Sequence, residues 1–252
     1  MIVALLSLAR IRGIIFDVDG LLLDSEKIFA DCFKNVTGME LTTDIHVKAM
    51  GLTGIQLGKF LMEMYNITGD PAEFMRKIDI CADYLYPFSE VLPGAREIVQ
   101  KFAKHNIKMG VSTGGKRVHH EAKIANHQDI FSKIEATTFG SEITHGKPNP
   151  EIFVKTMEKL NITDPSEVLV FEDAPNGVKA AISGGMKCVI VPNHHTPYKE
   201  QLENLGVVPT MYLKSLLEFD YSAFLFIDRN GQEVTFDNLI LESNDEINNK
   251  EL

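Results

Sequence analysis

The feature that most limits the fold is a series of short apolar runs that alternate with amphipathic stretches. The runs are uninterrupted rather than alternating in polarity, which is typical of parallel strands buried on both faces of a sheet. The predicted strands are Gly13–Phe16, Ile107–Val111, Ile134–Phe139, Val168–Phe171 and Cys188–Val191. The predicted helices between them are Ala95–His105, Val118–His127, Glu151–Leu160 and Asn176–Ser183. This order predicts an α/β fold with a Rossmann-like parallel sheet.

One gap interrupts the alternation, between the first and second predicted strands. A crossover needs only a dozen or so residues, but far more separate Phe16 from Ile107. The intervening chain has helical patterns at Glu26–Thr37, Ile55–Tyr65 and Ala72–Tyr86. We therefore predict a helical cap at 25–92, a catalytic core formed by 1–24 and 93–217, and a C-terminal extension at 218–252.

The extension differs in composition from the rest of the chain. "SAFLFIDRNGQEVTF" predicts a hairpin around Asn230-Gly231, whose phenylalanines could cover a sheet edge or a partner surface, and the acidic end predicts a disordered tail. Nine acidic and two basic residues lie in Leu217–Leu252, so this segment carries most of the formal net charge of −10. The remainder is nearly neutral and need not repel an anionic substrate. No basic face indicates binding of a nucleic-acid polymer.

Cysteine usage and the amino terminus bear on the compartment. Cys32, Cys81 and Cys188 are odd in number and show no C-x-x-C spacing, so we expect three buried thiols in a reduced, cytoplasmic protein. The opening "MIVALLSLA" is too short to span a membrane, and we expect it to pack beside the first strand. We also expect a monomer with no membrane partner.

A glycine-rich stretch, Gly110 to Lys116, fits the G-x-x-x-x-G-K pattern of nucleotide-binding loops. The pattern needs Ser or Thr next to ligate Mg²⁺, and here Arg117 follows; Gly110 also lies inside a predicted strand. Ser112, Thr113 and Gly114 could instead hold an anion with a hydroxyl and backbone N–H groups. Simple helix capping is the alternative.

Acidic and basic side chains follow the other predicted strands at their carboxyl ends, where ligands bind in such sheets. In "FDVDG", Asp17 and Asp19 could serve as nucleophile or metal ligand and as proton carrier, although a turn or helix cap is the alternative. Lys147 could balance phosphate charge, and Glu172-Asp173 offers the hard oxygen ligands that Mg²⁺ prefers. The whole set suits phosphoryl transfer.

In this order the motifs resemble those of the haloacid dehalogenase-like hydrolase superfamily, in particular its phosphatases with a helical cap. "FDVDGLLLDSE", "HGKPNPEIF" and "VFEDAPNGVKAA" are most similar to the pseudouridine-5′-phosphatase-like branch, with β-phosphoglucomutases and sugar-phosphate phosphatases as close neighbours. The resemblance covers roughly 12–217.

The resemblance implies a mechanism and a role for each candidate residue. Asp17 would attack phosphorus and form an aspartyl-phosphate, while Asp19 would act as acid and then as base. The groups implied to hold Mg²⁺ are the Asp17 carboxylate, the Asp19 backbone carbonyl and Asp173, with Glu172 either a ligand or directly behind one. The groups implied to hold the phosphoryl group are Ser112, the N–H groups of Thr113 and Gly114, and Lys147.

The expected activity is Mg²⁺-dependent hydrolysis of a small phosphate monoester, such as pseudouridine 5′-phosphate or a sugar phosphate. Lys48–Gly54 is the expected substrate-facing loop of the cap. The alternatives are a β-phosphoglucomutase-like phosphomutase and a non-catalytic binding protein on the same fold. Phe29 and Gly54 occupy the positions where the mutases have a His and an Arg, so we expect a phosphatase.

Overall fold

The strands form three sheets in this computed structural model, which describes residues 8–49, 52, 54–192 and 198–236. In chain order the strands are β1 (Arg10–Ile11), β2 (Gly13–Phe16), β3 (Leu23–Asp24), β4 (Glu90–Val91), β5 (Lys108–Thr113), β6 (Ala136–Phe139), β7 (Val168–Glu172), β8 (Lys187–Ile190), β9 (Met211–Tyr212), β10 (Leu225–Ile227) and β11 (Glu233–Val234). The α-helices are α1 (Ser25–Thr37), α2 (Thr43–Ala49), α3 (Gly54–Met64), α4 (Pro71–Leu85), α5 (Ala95–Lys104), α6 (Arg117–Ile124), α7 (Gln128–Phe131), α8 (Glu151–Lys159), α9 (Pro175–Ser183) and α10 (Tyr198–Leu205).

The central sheet has six parallel strands in the order β6-β5-β2-β7-β8-β9. Alternate residues of β2 supply both faces: Ile14 and Phe16 belong to the apolar cluster that contains α5, whereas Ile15 belongs to the cluster of α8 and α9. Burial on both faces explains why the runs are uninterrupted. The predicted Rossmann-like α/β fold is confirmed. All five predicted strands are present with ends shifted by two residues or fewer, and the short β9 was not predicted.

The helical cap lies between β3 and β4, which pair antiparallel and bring its two connections together. Helices α1, α3 and α4 enclose an apolar cluster of their own that includes Phe33, Leu61, Phe74 and Ile78. A capping aspartate precedes α1, where Asp24 accepts from the Lys27 N–H. The predicted helices of this segment are therefore present, and α2 is an additional one.

The cysteine expectation is wrong for two of the three residues. Cys32 of α1 and Cys81 of α4 form a disulfide inside the cap, and only Cys188 is a free, buried thiol. The two helices pack side by side within one cluster, which the odd number of cysteines and their wide spacing could not reveal. Disulfides persist mainly in oxidising compartments, so the prediction of a cytoplasmic protein loses the observation on which it rested.

The predicted hairpin is present as β10 and β11, joined by a turn in which Gly231 has a φ of 82°. Strand β10 also pairs parallel with β1. Phe226 is fully buried beside Phe102 of α5, with ring centroids 5.4 Å apart. The phenylalanines of the hairpin therefore extend the main core.

Several expectations fall at the ends of the chain. The packing of the opening apolar stretch and the disorder of the acidic tail concern residues 1–7 and 237–252, which lie outside the described residues. Within the described part of the chain, no helix has the length and apolar character of a membrane span.

Candidate active site

Strand register brings three of the predicted motifs to one level of the sheet. Phe16 pairs with Val111 of β5 on one side and with Phe171 of β7 on the other. The next residue along each strand is a candidate site residue: Asp17, Ser112 and Glu172. Because the strands are parallel, these residues meet at the carboxyl edge of the sheet.

The turn after β2 places Asp19 beside Asp17. The carbonyl of Val18 accepts hydrogen bonds from the N–H groups of Leu22 and Leu23, which closes the turn. Gly20 has a φ of 88°, and a Cβ there would lie 2.5 Å from Asp173 Oδ2. Glycine is required at this position both by the backbone conformation and by the approach of Asp173.

Lys147 joins two of the acidic residues. Its Nζ donates to Asp17 Oδ1 and to Glu172 Oε1, each at 2.5 Å. Glu172 Oε2 accepts from the N–H groups of Asp173 and Ala174 at 3.2 Å. Glu172 is thus held between the lysine and the chain that enters α9.

Burial and charge shift the protonation of this group. Burial raises the pKa of Asp17 to about 7, although Lys147 partly offsets the shift, and the neighbouring carboxylates Glu172 and Asp19 reinforce it. Burial, together with repulsion from Glu172 and Asp17, raises the pKa of Asp173 well above its usual value. Burial alone would lower the pKa of Lys147, but Asp17 and Glu172 raise it.

Asp19 has a different environment. Its carboxylate accepts from Lys123 Nζ at 2.5 Å, from Thr113 Oγ1 at 3.0 Å and from the Ser25 hydroxyl. Burial would raise the pKa of Asp19, but these three partners outweigh it and lower the pKa to about 2. Asp19 is therefore ionised in this state, the form that can accept a proton.

The glycine-rich loop follows β5 and leads into α6. Gly114 lines the cavity above the sheet, whereas the Ser112 hydroxyl is buried against Thr156 of α8, with 2.7 Å between the two oxygens. Thr113 accepts from the Gly115 N–H at 3.1 Å and donates to Asp19. The loop therefore places backbone at the cavity and its hydroxyls behind it.

The site faces a cavity of about 1020 Å³ between the sheet edge and the cap. On the sheet side the cavity is lined by Asp17, Asp19, Lys147, Glu172 and Asp173. On the cap side most of the lining is apolar (Phe29, Ala49, Leu52, Leu57 and Tyr86), and Ser25 and Glu26 are its polar residues. Of the expected substrate-facing loop, Ala49 and Leu52 line the cavity, and residues 50, 51 and 53 lie outside the described residues.

Sequence reasoning missed four residues of this site: Ser25, Tyr86, Lys123 and Thr156. Lys123 lies on the buried side of α6 together with His120, and no apolar stripe in RVHHEAKI marks that side in the sequence. The other three have no sequence pattern that distinguishes them from ordinary capping or core residues.

The residues present suit a divalent cation. Lys147 pairs with two of the three buried carboxylates, Asp17 and Glu172, and the third, Asp173, adds negative charge that a cation would balance. Among the described residues, no three His, Cys, Asp or Glu side chains are grouped as a ready metal site. The set implied by the resemblance needs two carboxylates and a backbone carbonyl when Glu172 lies behind it, and contains a third carboxylate only when Glu172 is itself a ligand.

Comparison with known proteins assigns the class. The haloacid dehalogenase-like hydrolase family profile matches residues 14–191, and the chain belongs to this family. The "Probable pseudouridine-5'-phosphatase" of Drosophila melanogaster is 31% identical over 193 residues, which cover 74% of this chain and 84% of the relative. "(DL)-glycerol-3-phosphatase 2" of Arabidopsis thaliana is 31% identical over 192 residues, which cover 73% of this chain and 80% of that relative.

Solved structures agree in fold. The crystal structure of beta-phosphoglucomutase (pgmB) from Clostridium difficile matches with a TM-score of 0.67 and 21% identity, over 84% of this chain and 94% of that one. At this identity the likeness establishes the fold.

Proposed function

We propose that the protein hydrolyses a small phosphate monoester with Mg²⁺ and an aspartyl-phosphate intermediate. It is a phosphoric monoester hydrolase by family, and relatives named as phosphatases support this class. The observation that carries the proposal is the meeting of Asp17, Asp19, Lys147 and Asp173 at one cavity.

Asp17 is the proposed nucleophile. Its oxygen forms a bond to phosphorus as the bond from phosphorus to the leaving oxygen breaks, and Asp19 gives that oxygen a proton. Water then attacks the phosphoryl group, gives a proton back to Asp19 and releases Asp17. The substrate's negative charge next to Asp19 raises the pKa of that carboxyl above its value in the free site, which favours proton uptake before the first step.

Asp17, Asp173 and the Asp19 backbone carbonyl would hold Mg²⁺, and Glu172 is a further ligand or the residue that orients Lys147. The ion would neutralise the nucleophile and the phosphoryl oxygens, so that one anion can approach another. Lys147 and the N–H groups of Thr113 and Gly114 would hold the phosphoryl oxygens. The Ser112 hydroxyl, which is bonded to Thr156, would have to turn to reach them.

The cavity favours a neutral leaving group that carries no second phosphate. Within the described lining, the cations are Lys123 and Lys147, and each already pairs with a carboxylate. The apolar side chains Phe29 and Leu57 can pack on a sugar or base ring. A nucleoside monophosphate such as pseudouridine 5′-phosphate, glycerol phosphate or a sugar phosphate fits this description.

A phosphatase screen over these esters tests the proposal. We expect inorganic phosphate to be released in the presence of Mg²⁺, and wild-type protein that releases none from any ester would overturn it. The mutase alternative is tested with β-glucose 1-phosphate and glucose 1,6-bisphosphate, followed by ³¹P NMR. Because Phe29 lines the cavity and Gly54 has no side chain, we expect phosphate to accumulate faster than glucose 6-phosphate, and the reverse would establish a mutase.

The remaining predictions concern organisation. We propose a core of 1–24 and 93–217, a cap of 25–92 and an extension of 218–252, in a monomer that binds neither nucleic acid nor membrane. The cytoplasm stays the proposed compartment, and the oxidation state of Cys32 and Cys81 in the protein bears on it directly.

A further inference from the structure

Lys123 is a buried lysine that the proposed mechanism does not use. It lies on α6, is 6% exposed, and has its Nζ 2.5 Å from Asp19 Oδ1. Lysine is almost never buried unless it is paired, because an unpaired buried charge is costly. A methionine or leucine would fill the same space without that requirement, so the charge itself needs an explanation.

The partner of Lys123 is held by two further donors. Thr113 donates to Asp19 Oδ2 at 3.0 Å, and the Ser25 hydroxyl donates to Oδ1 together with Lys123. The three donors come from α6, from the end of β5 and from the first residue of the cap helix α1. Both carboxylate oxygens are thereby fixed from three directions, and rotation of the Asp19 side chain would break at least one charged or hydroxyl contact.

Lys123 also contacts the cap at its other connection. Its Nζ lies 4.5 Å from the ring centroid of Tyr86, which is within the range of a cation–π contact. Tyr86 is buried, follows α4 and lines the cavity. The ammonium therefore lies between the proposed acid–base residue and the segment through which the cap returns to the core.

We propose that Lys123 is a positioning residue: it holds the Asp19 carboxyl in the orientation from which it exchanges a proton with the leaving oxygen. This inference rests on the proposed function. Lys147 cannot supply the contact, because its Nζ is bonded to Asp17 and Glu172. Loss of the Lys123 ammonium leaves Asp19 held by the hydroxyls of Ser25 and Thr113 alone, so that the orientation of its carboxylate is less strongly fixed.

The test compares esters that differ in their need for a proton. The leaving group of glycerol 3-phosphate is an alkoxide, which must be protonated as it departs. The leaving group of p-nitrophenyl phosphate is p-nitrophenolate, which departs without a proton. The measured quantity is the ratio of kcat/KM for glycerol 3-phosphate to kcat/KM for p-nitrophenyl phosphate, because kcat/KM reports the step in which the leaving group departs. Wild type, Lys123→Met, Lys123→Arg and Asp19→Asn are compared with Mg²⁺ present.

We expect Asp19→Asn to lower the ratio by ~10²-fold or more, the scale of general acid catalysis. Lys123→Met should lower the ratio in the same direction, and Lys123→Arg should restore it at least in part. Lys116→Met is the matched control, because Lys116 precedes the same helix, is exposed and pairs with Asp79 of the cap helix α4. It should leave the ratio unchanged.

Two outcomes overturn the inference while leaving the proposed function intact. In the first, Lys123→Met lowers kcat/KM for both esters by the same factor. In the second, Lys123→Met lowers the ratio as much in a protein that already carries Asp19→Asn as it does in the wild type. Two other results would contradict the proposed function itself: the wild type hydrolyses neither ester, or Asp19→Asn has the same ratio of kcat/KM values as the wild type. If Lys123→Met does not fold, Lys123→Gln, which keeps a donor without the charge, is measured in its place and is expected to lower the ratio.

Discussion

Burial sets the protonation state of single side chains around this site. Asp17 and Asp173 have raised pKa values because they are buried beside other carboxylates, whereas Asp19 has a lowered one because an ammonium faces it. Two carboxylates separated by one residue thus differ in proton affinity. This order is opposite to the proposed roles, an ionised nucleophile and a protonated acid. A cation beside Asp17 would lower the pKa of that carboxyl, and the negative charge of a bound substrate would raise the pKa of Asp19.

His120 gives the clearest pH prediction at the residue scale. It is buried against the edges of Phe131 and Phe139, and burial lowers its pKa from 6.5 to about 4. Between pH 6.5 and about pH 4, His120 is therefore protonated in the unfolded chain but neutral in the folded protein. The stability contribution is complete above pH 6.5 and is lost as the pH falls towards 4, with a slope approaching about 1.4 kcal/mol per pH unit.

His120→Leu should remove most of this dependence. We expect the fall in the free energy of unfolding between pH 7 and pH 5 to be smaller in the variant by about 1–2 kcal/mol, measured by urea unfolding at both pH values. His145→Leu is the control, because its side chain is 69% exposed. An identical pH dependence in wild type and His120→Leu would contradict the prediction.

At the scale of elements, the hairpin β10–β11 acts as part of the core. Phe226→Ala should destabilise the protein by about 3–5 kcal/mol, because the ring is fully buried among the aromatic side chains of Phe102, Phe219 and Phe236. Phe88→Ala is the matched control, since that phenylalanine is 67% exposed, and its loss should be small. The measurement is chemical unfolding, and equal effects of the two substitutions would show that the hairpin does not contribute to the core.

The cap contains the second element-scale prediction. Cys32 and Cys81 join α1 to α4, so thiol titration of unfolded, unreduced protein should find one thiol per chain, that of Cys188. After reduction it should find three, and reduction should lower the stability of the folded protein by about 2–4 kcal/mol. Three thiols before reduction would contradict the disulfide. They would also agree with the three reduced cysteines on which the prediction of a cytoplasmic protein was based.

For the whole molecule, the sequence predicted those features of the fold that depend on the local pattern of apolar and polar residues. The parallel sheet, the inserted helices and the hairpin followed from apolar periodicity, because burial on one or two faces imposes that periodicity directly. The motifs at the carboxyl ends of the strands were located because the fold class dictates where ligands bind.

Contacts between distant parts of the chain could not be predicted in this way. Lys123 reaches Asp19 across 104 positions, and Thr156 reaches Ser112 across 44. Such contacts depend on the register and packing of elements, which leave no periodic trace in either segment. The Cys32–Cys81 pair was missed for the same reason.

The central claim is that Asp17 attacks a phosphate ester at a Mg²⁺ site, and turnover by Asp17→Asn tests it most directly. Wild type and variant of equal melting temperature are assayed for phosphate release from p-nitrophenyl phosphate and glycerol 3-phosphate, with Mg²⁺ and then with a chelator. We predict turnover by the wild type only with Mg²⁺, and no release above the enzyme-free rate by the variant under either condition. Release by Asp17→Asn at a rate comparable with the wild type would contradict the account.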